Sequence, residues 1–265
     1  MIYIITHKKF DNRISKSNEY KVLHVGSNLD TSKEYLNDNT LDNISFKNKN
    51  YCELTGVYWL WKNSSDLDSD PIGIVHYRRY FVTKLTYLFY YFFNLKPKVI
   101  KFDELKEILC EYDVVLPKPI KIFKTVRQDY INSHNEEDLL LVRESISETN
   151  PKYLSDFDSI MNSHKYYYAN MMVLRKNLFN SYCEWLFSIL TNLESKINLD
   201  KYENDYQKRV YGFLSERLLC VWVKHNNLKV YELPVYNTEA RPVSFLKINF
   251  NRFKNLCLKL TKKSN

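Results

Sequence analysis

A chain of 265 residues is long enough to bury one sizeable core, and 45% hydrophobic residues exclude global disorder. With 26% charged residues and no apolar run near the ~20 residues a bilayer requires, an ordinary membrane span is excluded as well. The net charge of +8 calls for an anionic partner, and nucleic acid, a phosphorylated small molecule and an acidic membrane surface all fit.

Chemistry-bearing motifs narrow the choice. The chain has 4 glycines and lacks both G-x-G-x-x-G and G-x-x-x-x-G-K-[ST], which argues against a dinucleotide fingerprint and a P-loop. Five cysteines, Cys52, Cys110, Cys183, Cys220 and Cys257, show no C-x-x-C pair; four lie in apolar patterns, so neither zinc nor a disulfide is supported. Tyr at 22 and Phe at 15 supply the aromatic faces on which sugar rings and bases rest. No helix-turn-helix, finger or RNA motif is visible, so no nucleic-acid partner is expected. No charged start leads into an apolar stretch and cleavage site, and the cytosol is the expected compartment.

In chain order, "IYIITH" (2–7) is an apolar strand followed by the polar loop "KKFDNR", and "KVLHVG" is a second strand. In "NKNYCELTGVYWLWKN", Leu54, Val57, Tyr58 and Trp61 fall on one helix face, with Asn50 and Glu53 spaced as an N-cap and its reciprocal partner. "PIGIVHYRRYF" (71–81) reads as a strand, "FDELKEILCEY" as a helix, and "DVVLPKP" as a strand stopped by proline. "EEDLLLVRESI" and "KYLSDFDSIMN" are helical, and "KYYYANMMVLRK" is a strand. "NLFNSYCEWLFSILTNLESKI" and "YQKRVYGFLSERLLCVWVKHNN" are long helices before a last strand, "KVYELPV". The alternation predicts an α/β fold with a mostly parallel sheet flanked by helices.

Two segments stand apart. Residues 84–98, "KLTYLFYYFFNLKPK", are greasy, aromatic and flanked by lysines, the length of an interfacial insertion. The tail places Leu246, Phe250, Phe253, Cys257 and Leu260 on one stripe ringed by Lys247, Arg252, Lys254, Lys259, Lys262 and Lys263. This C-terminal basic amphipathic helix (241–265) either lies on an anionic membrane or packs on the preceding domain (1–240).

Ligands of open α/β sheets bind beyond the carboxyl ends of the strands. Basic groups stand at three such places: Thr6, His7, Lys8 and Lys9; His76, Tyr77, Arg78 and Arg79; and Lys118. Guanidinium forks match phosphate, and two neighbours could neutralise a departing diphosphate. Strand alternation would turn Arg78 and Arg79 to opposite faces, leaving one on phosphate. His76 reads equally as a core histidine or a ligand contact, and His134 as a cap or a substrate contact. Glu216 shares a helix stripe with Asp205, Arg209 and Gly212 and has no pairing partner at i±4; it is either a solvated charge or a general base beside the space a glycine opens. The D-x-D triplet in "DLDSD" (66–70) precedes a strand, where a metal-holding pair would follow one, and reads as an acidic surface loop.

"NKNYCELTGVYWLWKN" with "IGIVHYRRYF", then "EYDVVLPKP", "YYYANMMVLRK", "YCEWLFSIL" and "RVYGFLSERLL", together resemble bacterial capsular-polysaccharide glycosyltransferases long labelled a domain of unknown function. The resemblance covers the chain to about residue 240. It implies a GT-A-like, Rossmann-type nucleotide-sugar fold, and some members of the family resemble galactofuranosyltransferases that extend capsule or O-antigen units. It implies Glu53, His76, Tyr77, Arg78 and Arg79 as substrate-site residues, Asn170 and Met171 on the strand beside the acceptor, and Glu216 with Arg217 where inverting enzymes hold the catalytic acidic residue. "HYRR" stands where many GT-A enzymes carry D-x-D, so no cofactor is expected, a divalent ion such as Mn or Mg being unsupported.

The expected function is transfer of a sugar, galactofuranose among the candidates, from a UDP-sugar onto a lipid-linked oligosaccharide. The expected place is the cytoplasmic, inner face of a membrane, with peripheral attachment. A non-catalytic sugar- or phosphate-binding partner in a polysaccharide assembly complex and a basic RNA-binding protein are the alternatives.

Overall fold

A computed structural model describes residues 1–11, 13, 17–26, 35–63 and 70–240. Strands β1 (Ile2–Thr6), β2 (Tyr20–His24) and β3 (Leu36–Asn37) lead into α1 (Asn48–Tyr51) and α2 (Leu54–Asn63). Next come β4 (Ile72–His76), β5 (Arg79–Phe81), α3 (Lys84–Phe93), α4 (Phe102–Ile108), β6 (Val114–Pro117) and β7 (Ile120–Lys121). A helical stretch follows, α5 (Val126–Ile131), α6 (Glu136–Thr149) and α7 (Leu154–Met161), then β8 (Lys165–Tyr166) and β9 (Met172–Leu174). The chain continues through α8 (Lys176–Glu194), α9 (Val210–His225), β10 (Val230–Leu233) and β11 (Val235–Asn237).

The sheet runs β10-β6-β9-β4-β1-β2-β3, parallel throughout except for β9, which is antiparallel to β4 and β6. β1 and β4 are buried at all five positions, as strands covered on both faces must be. Alternation sorts their side chains: Tyr3, Ile5, Ile72 and Ile74 pack with α2, α8 and α9, whereas Ile2, Ile4 and Val75 pack with Tyr80 and with Leu105 of α4. α8 buries Phe179, Tyr182, Cys183, Leu186, Ile189, Leu190 and Leu193, spaced three and four apart along one helix face.

Three departures from the sequence reading shape the site. "PIGIVHYRRYF" is not one strand: β4 stops at His76, Tyr77 and Arg78 form a two-residue turn, and β5 returns with Arg79 paired to His76. "KYYYANMMVLRK" breaks into β8 and the antiparallel β9 because Ala169 (φ 68°) and Asn170 (φ 48°) adopt left-handed backbone. The helix over 50–63 is broken at Cys52 (φ 54°), so Asn50 is no N-cap; it lies inside α1 and its amide donates to Lys208 O.

The last strand also divides, at Pro234, and β11 pairs with β5 instead of extending β10. Residues 84–93 form α3, capped by Thr83 Oγ1, which accepts from Thr86 N, and closed by Asn94 in left-handed conformation. The basic tail (241–265) and most of the D-x-D loop lie outside the described residues; Asp70, its last member, accepts from Lys176 N and faces Arg175 at 3.4 Å. Among the described residues no helix is long and apolar enough to cross a membrane.

Candidate active site

A cavity of about 730 Å³ opens at the carboxyl ends of β1 and β4, between them and α9. Thr6 and His7 come from the end of β1, and His76, Tyr77, Arg78 and Arg79 from the β4–β5 turn. Cys52 and Glu53 come from the break between α1 and α2, and Arg209, Gly212, Phe213, Glu216 and Arg217 from α9 and the turn before it.

Two adjacent residues organise this space. The amide of Ala169 donates to Glu216 Oε1 at 2.7 Å, and its carbonyl accepts from His76 Nε2. Because the acceptor is a carbonyl, Nε2 carries the proton, and burial, the main cause, holds the His76 pKa below its ordinary value. The side chain of Asn170 donates to Glu53 Oε1 (2.7 Å), Ser215 Oγ (2.8 Å) and Gly212 O (3.3 Å). Left-handed backbone costs roughly 1–2 kcal/mol for a residue with a Cβ, so two in succession need the hydrogen bonds around them. That kink ties a histidine and two carboxylates from three separate elements into one constellation.

Glu216 is 22% exposed and receives a second bond, from Arg217 Nη1 at 2.9 Å. Burial pushes its carboxyl above the usual range and the nearby Glu53 pushes the same way; Arg217, the Ala169 amide and Arg79 oppose the shift. A carboxylate with a raised pKa inside a cavity is a stronger proton acceptor than a surface glutamate. Arg217, 5% exposed, donates through Nη1 to Glu216 and to Phe213 O, turns Nη2 to Asp129 at 3.8 Å, and lies over the rings of Tyr166 (4.6 Å) and Tyr130 (5.3 Å). Tyr130 is fixed by its hydroxyl on buried Asp138 at 2.7 Å.

Five cations, Lys49, Arg78, Arg79, Arg209 and Arg217, line the cavity against three carboxylates, Glu53, Asp129 and Glu216. Two of them are spoken for: Arg217 as above, and Arg78 by Glu239 at 2.9 Å. Arg79 forms no ion pair among the described residues, and its charge is felt at His76 and Glu216. Arg209 meets Cys52 Sγ at 3.0 Å, and the Cys52 thiol is pushed up to about 11, chiefly by burial. The floor is aromatic: the His134 ring stacks on Phe213 with centroids 4.1 Å apart, while its Nδ1 bonds Gln207 Oε1 at 2.9 Å.

A divalent cation fits this donor set poorly. Among the described residues no three His, Cys, Asp or Glu side chains converge as ligands, and the two central carboxylates are already bonded to Asn170, Ala169 and Arg217.

Of the residues singled out from sequence, Thr6, His7, Glu53, His76, Tyr77, Arg78, Arg79, His134, Glu216 and Arg217 line this one cavity. Thr6 is buried, its hydroxyl bonded to Lys8 O at 2.5 Å. The others, Lys8, Lys9, Asn170, Met171 and Lys118, stand elsewhere. Lys8 turns to Glu239 and a second cavity, because β1 has ended and its side chain lies over the far side of Tyr77. Asn170 is completely buried and acts on Glu53 from behind the wall, with Met171 also buried beside it. Lys118 is exposed and lines neither cavity.

Gly212 does not open space beside Glu216. A Cβ there would lie 3.2 Å from Cys52 Sγ, so the glycine lets α1 approach α9. Nor is Glu216 without a charged neighbour, since Arg217, one residue on, curls back to it. Arg209 was legible from the α9 stripe it shares with Glu216; Lys49, Asp129 and the left-handed Ala169 gave no signal, as only the tertiary fold brings them in.

A mostly parallel sheet in which β5 and β9 run reversed, helices on both faces and an arginine-lined cleft at the strand ends define a GT-A-like glycosyltransferase fold. The chain belongs to the family described as Domain of unknown function (DUF4422), whose model matches residues 1–227. It is similar to the apo structure of WbbM, a bifunctional glycosyltransferase, with 30% sequence identity over 90% of this chain and a TM-score of 0.74. The match spans 45% of the WbbM chain. No curated protein matches the chain.

Proposed function

We propose that the protein is a glycosyltransferase that moves a sugar from a nucleoside diphosphate, UDP in the first instance, onto a hydroxyl of a lipid-linked oligosaccharide with inversion. The observation that carries this is the joint presence in one cavity of Glu216, braced by the Ala169 amide, and of Arg79, which forms no ion pair among the described residues.

In this reading Glu216 takes the acceptor hydroxyl proton as that oxygen attacks the anomeric carbon. The bond from that carbon to the diphosphate oxygen breaks on the opposite face, and its electron pair leaves with the nucleotide. Arg79, with Arg209 and Lys49 nearby, meets the charge that develops on the diphosphate. Glu53, held by Asn170, and the neutral His76 are positioned to orient sugar hydroxyls. The likeness to a bifunctional glycosyltransferase supports sugar transfer in general; donor, acceptor and stereochemistry are our reading.

The test is UDP release by purified full chain across a panel of UDP-sugars with a lipid-linked acceptor, followed by assignment of the product anomer. A matched donor should give transfer with an inverted anomeric centre. Retention of configuration removes the single-base mechanism, and binding of UDP-sugar without turnover of any donor favours the non-catalytic sugar-binding alternative.

A further inference from the structure

A second cavity of about 920 Å³ lies against the first, with Tyr77 in the wall of both. It is lined by Phe10, Tyr77, Tyr90 and Tyr236 and edged by Lys8, Lys9 and Lys96. Its two carboxylates are already engaged, Asp11 by Arg13 and Glu239 by Lys8 and Arg78, while Lys9 and Lys96 form no ion pair among the described residues.

One wall of this cavity belongs to α3, whose polarity is inverted for a surface helix. Its inward face packs Tyr90 edge-on to Tyr236, at 4.9 Å between centroids. Its outward face carries Leu85, Leu88, Phe89, Phe92 and Phe93 at 45 to 66% exposure. Scattered exposed apolar residues are ordinary, but five on one helix are a docking surface. The segment 84–98 holds Lys84, Lys96 and Lys98 and no acidic residue, so the partner must be apolar within and anionic at its edge. An anionic lipid bilayer has that chemistry: rings enter at the acyl boundary and lysines meet the headgroup phosphates.

We infer that α3 seats the protein on an anionic membrane and that the cavity beside it receives the phosphate-bearing head of a membrane-borne acceptor, whose sugar end passes Tyr77 to reach Glu216. The membrane part stands on α3 alone; the acceptor part rests on the proposed transferase reading.

The experiment has two arms, both with the full chain. In sedimentation with vesicles, wild type should bind phosphatidylglycerol far better than phosphatidylcholine. Leu88→Ser with Phe92→Ser should lower binding roughly tenfold or more, while circular dichroism stays unchanged. Wild-type binding by that variant, or loss of binding only when the lysines of the 241–265 tail are changed to Gln, overturns the assignment to α3.

In the second arm, at vesicle concentrations where sedimentation shows wild type and variant fully bound, Lys9→Ala with Lys96→Ala should raise KM roughly tenfold for a polyprenyl-diphosphate-linked sugar acceptor and leave KM for a soluble glycoside acceptor unchanged. An equal effect on both acceptors overturns the headgroup site. If inorganic diphosphate competes against the lipid-linked acceptor as strongly in the double variant as in wild type, the lysines are not the phosphate contact. Absence of turnover with both acceptors defeats the transferase reading and the acceptor site that rests on it, while the vesicle arm still decides whether α3 binds membrane.

Discussion

Glu216 is a base candidate because its surroundings raise its proton affinity while leaving it open to the cavity. Its pKa is raised mainly by burial, so the acidic limb of kcat/KM should lie above the ordinary glutamate value of 4.5, with activity rising as pH climbs through the raised pKa. Glu216→Gln keeps the size and the Ala169 contact but cannot take a proton; kcat should fall by roughly 10²–10⁴. Asn170→Ala tests a positioning role. It strips Glu53, Ser215 and Gly212 O of a shared donor, and about 1–3 kcal/mol of stability should go with it, read as a lower midpoint in urea. An Asn170→Ala protein of unchanged stability would mean that the buried amide is not the brace described here.

At the scale of elements, the site is where three runs of the chain depart from their own periodicity: the α1–α2 break, the β4–β5 turn and the Ala169–Asn170 kink. Strands and helices were readable because their apolar spacing is local, and β1, β4, α8 and α9 form where that spacing places them. The departures were not readable. Nothing in "HYRR" marks a turn, and in "YYYANMM" only Asn170, a residue type that tolerates left-handed backbone, hints at the kink; both shapes are held by partners far off in sequence, such as Glu53 to Asn170 and Glu239 to Arg78. The alternation argument for Arg78 and Arg79 failed for this reason, although its conclusion that one of the two is committed elsewhere agrees with the Arg78–Glu239 pair. Close packing of α9 on α1 gives a further prediction. Gly212→Val must push Cys52 aside and should cost about 1–3 kcal/mol, measured by thermal unfolding, with activity falling because Glu53 and Glu216 are carried by the two displaced elements.

Across the whole molecule, burial lowers the pKa of His7, His24, His76 and His134, each below the ordinary 6.5. The unfolded chain therefore binds protons that the folded chain refuses, so stability present above about pH 6.5 is lost as pH falls below it. Glu216 and buried Asp138, whose carboxyls are both raised, oppose this, while the buried N-terminal amine, lowered to about 5, reinforces it. The thermal midpoint should drop between pH 7 and pH 5.5, and a flat profile would show that these histidines titrate normally. The central claim is that diphosphate binding and proton removal share one cavity but fall to different residues. Parallel measurement of UDP-sugar affinity and turnover in Arg79→Ala and Glu216→Gln tests it most directly. Arg79→Ala should lose both, with kcat/KM down roughly 10²-fold, whereas Glu216→Gln should bind the donor like wild type and turn it over hardly at all. Wild-type turnover by Glu216→Gln would contradict the account.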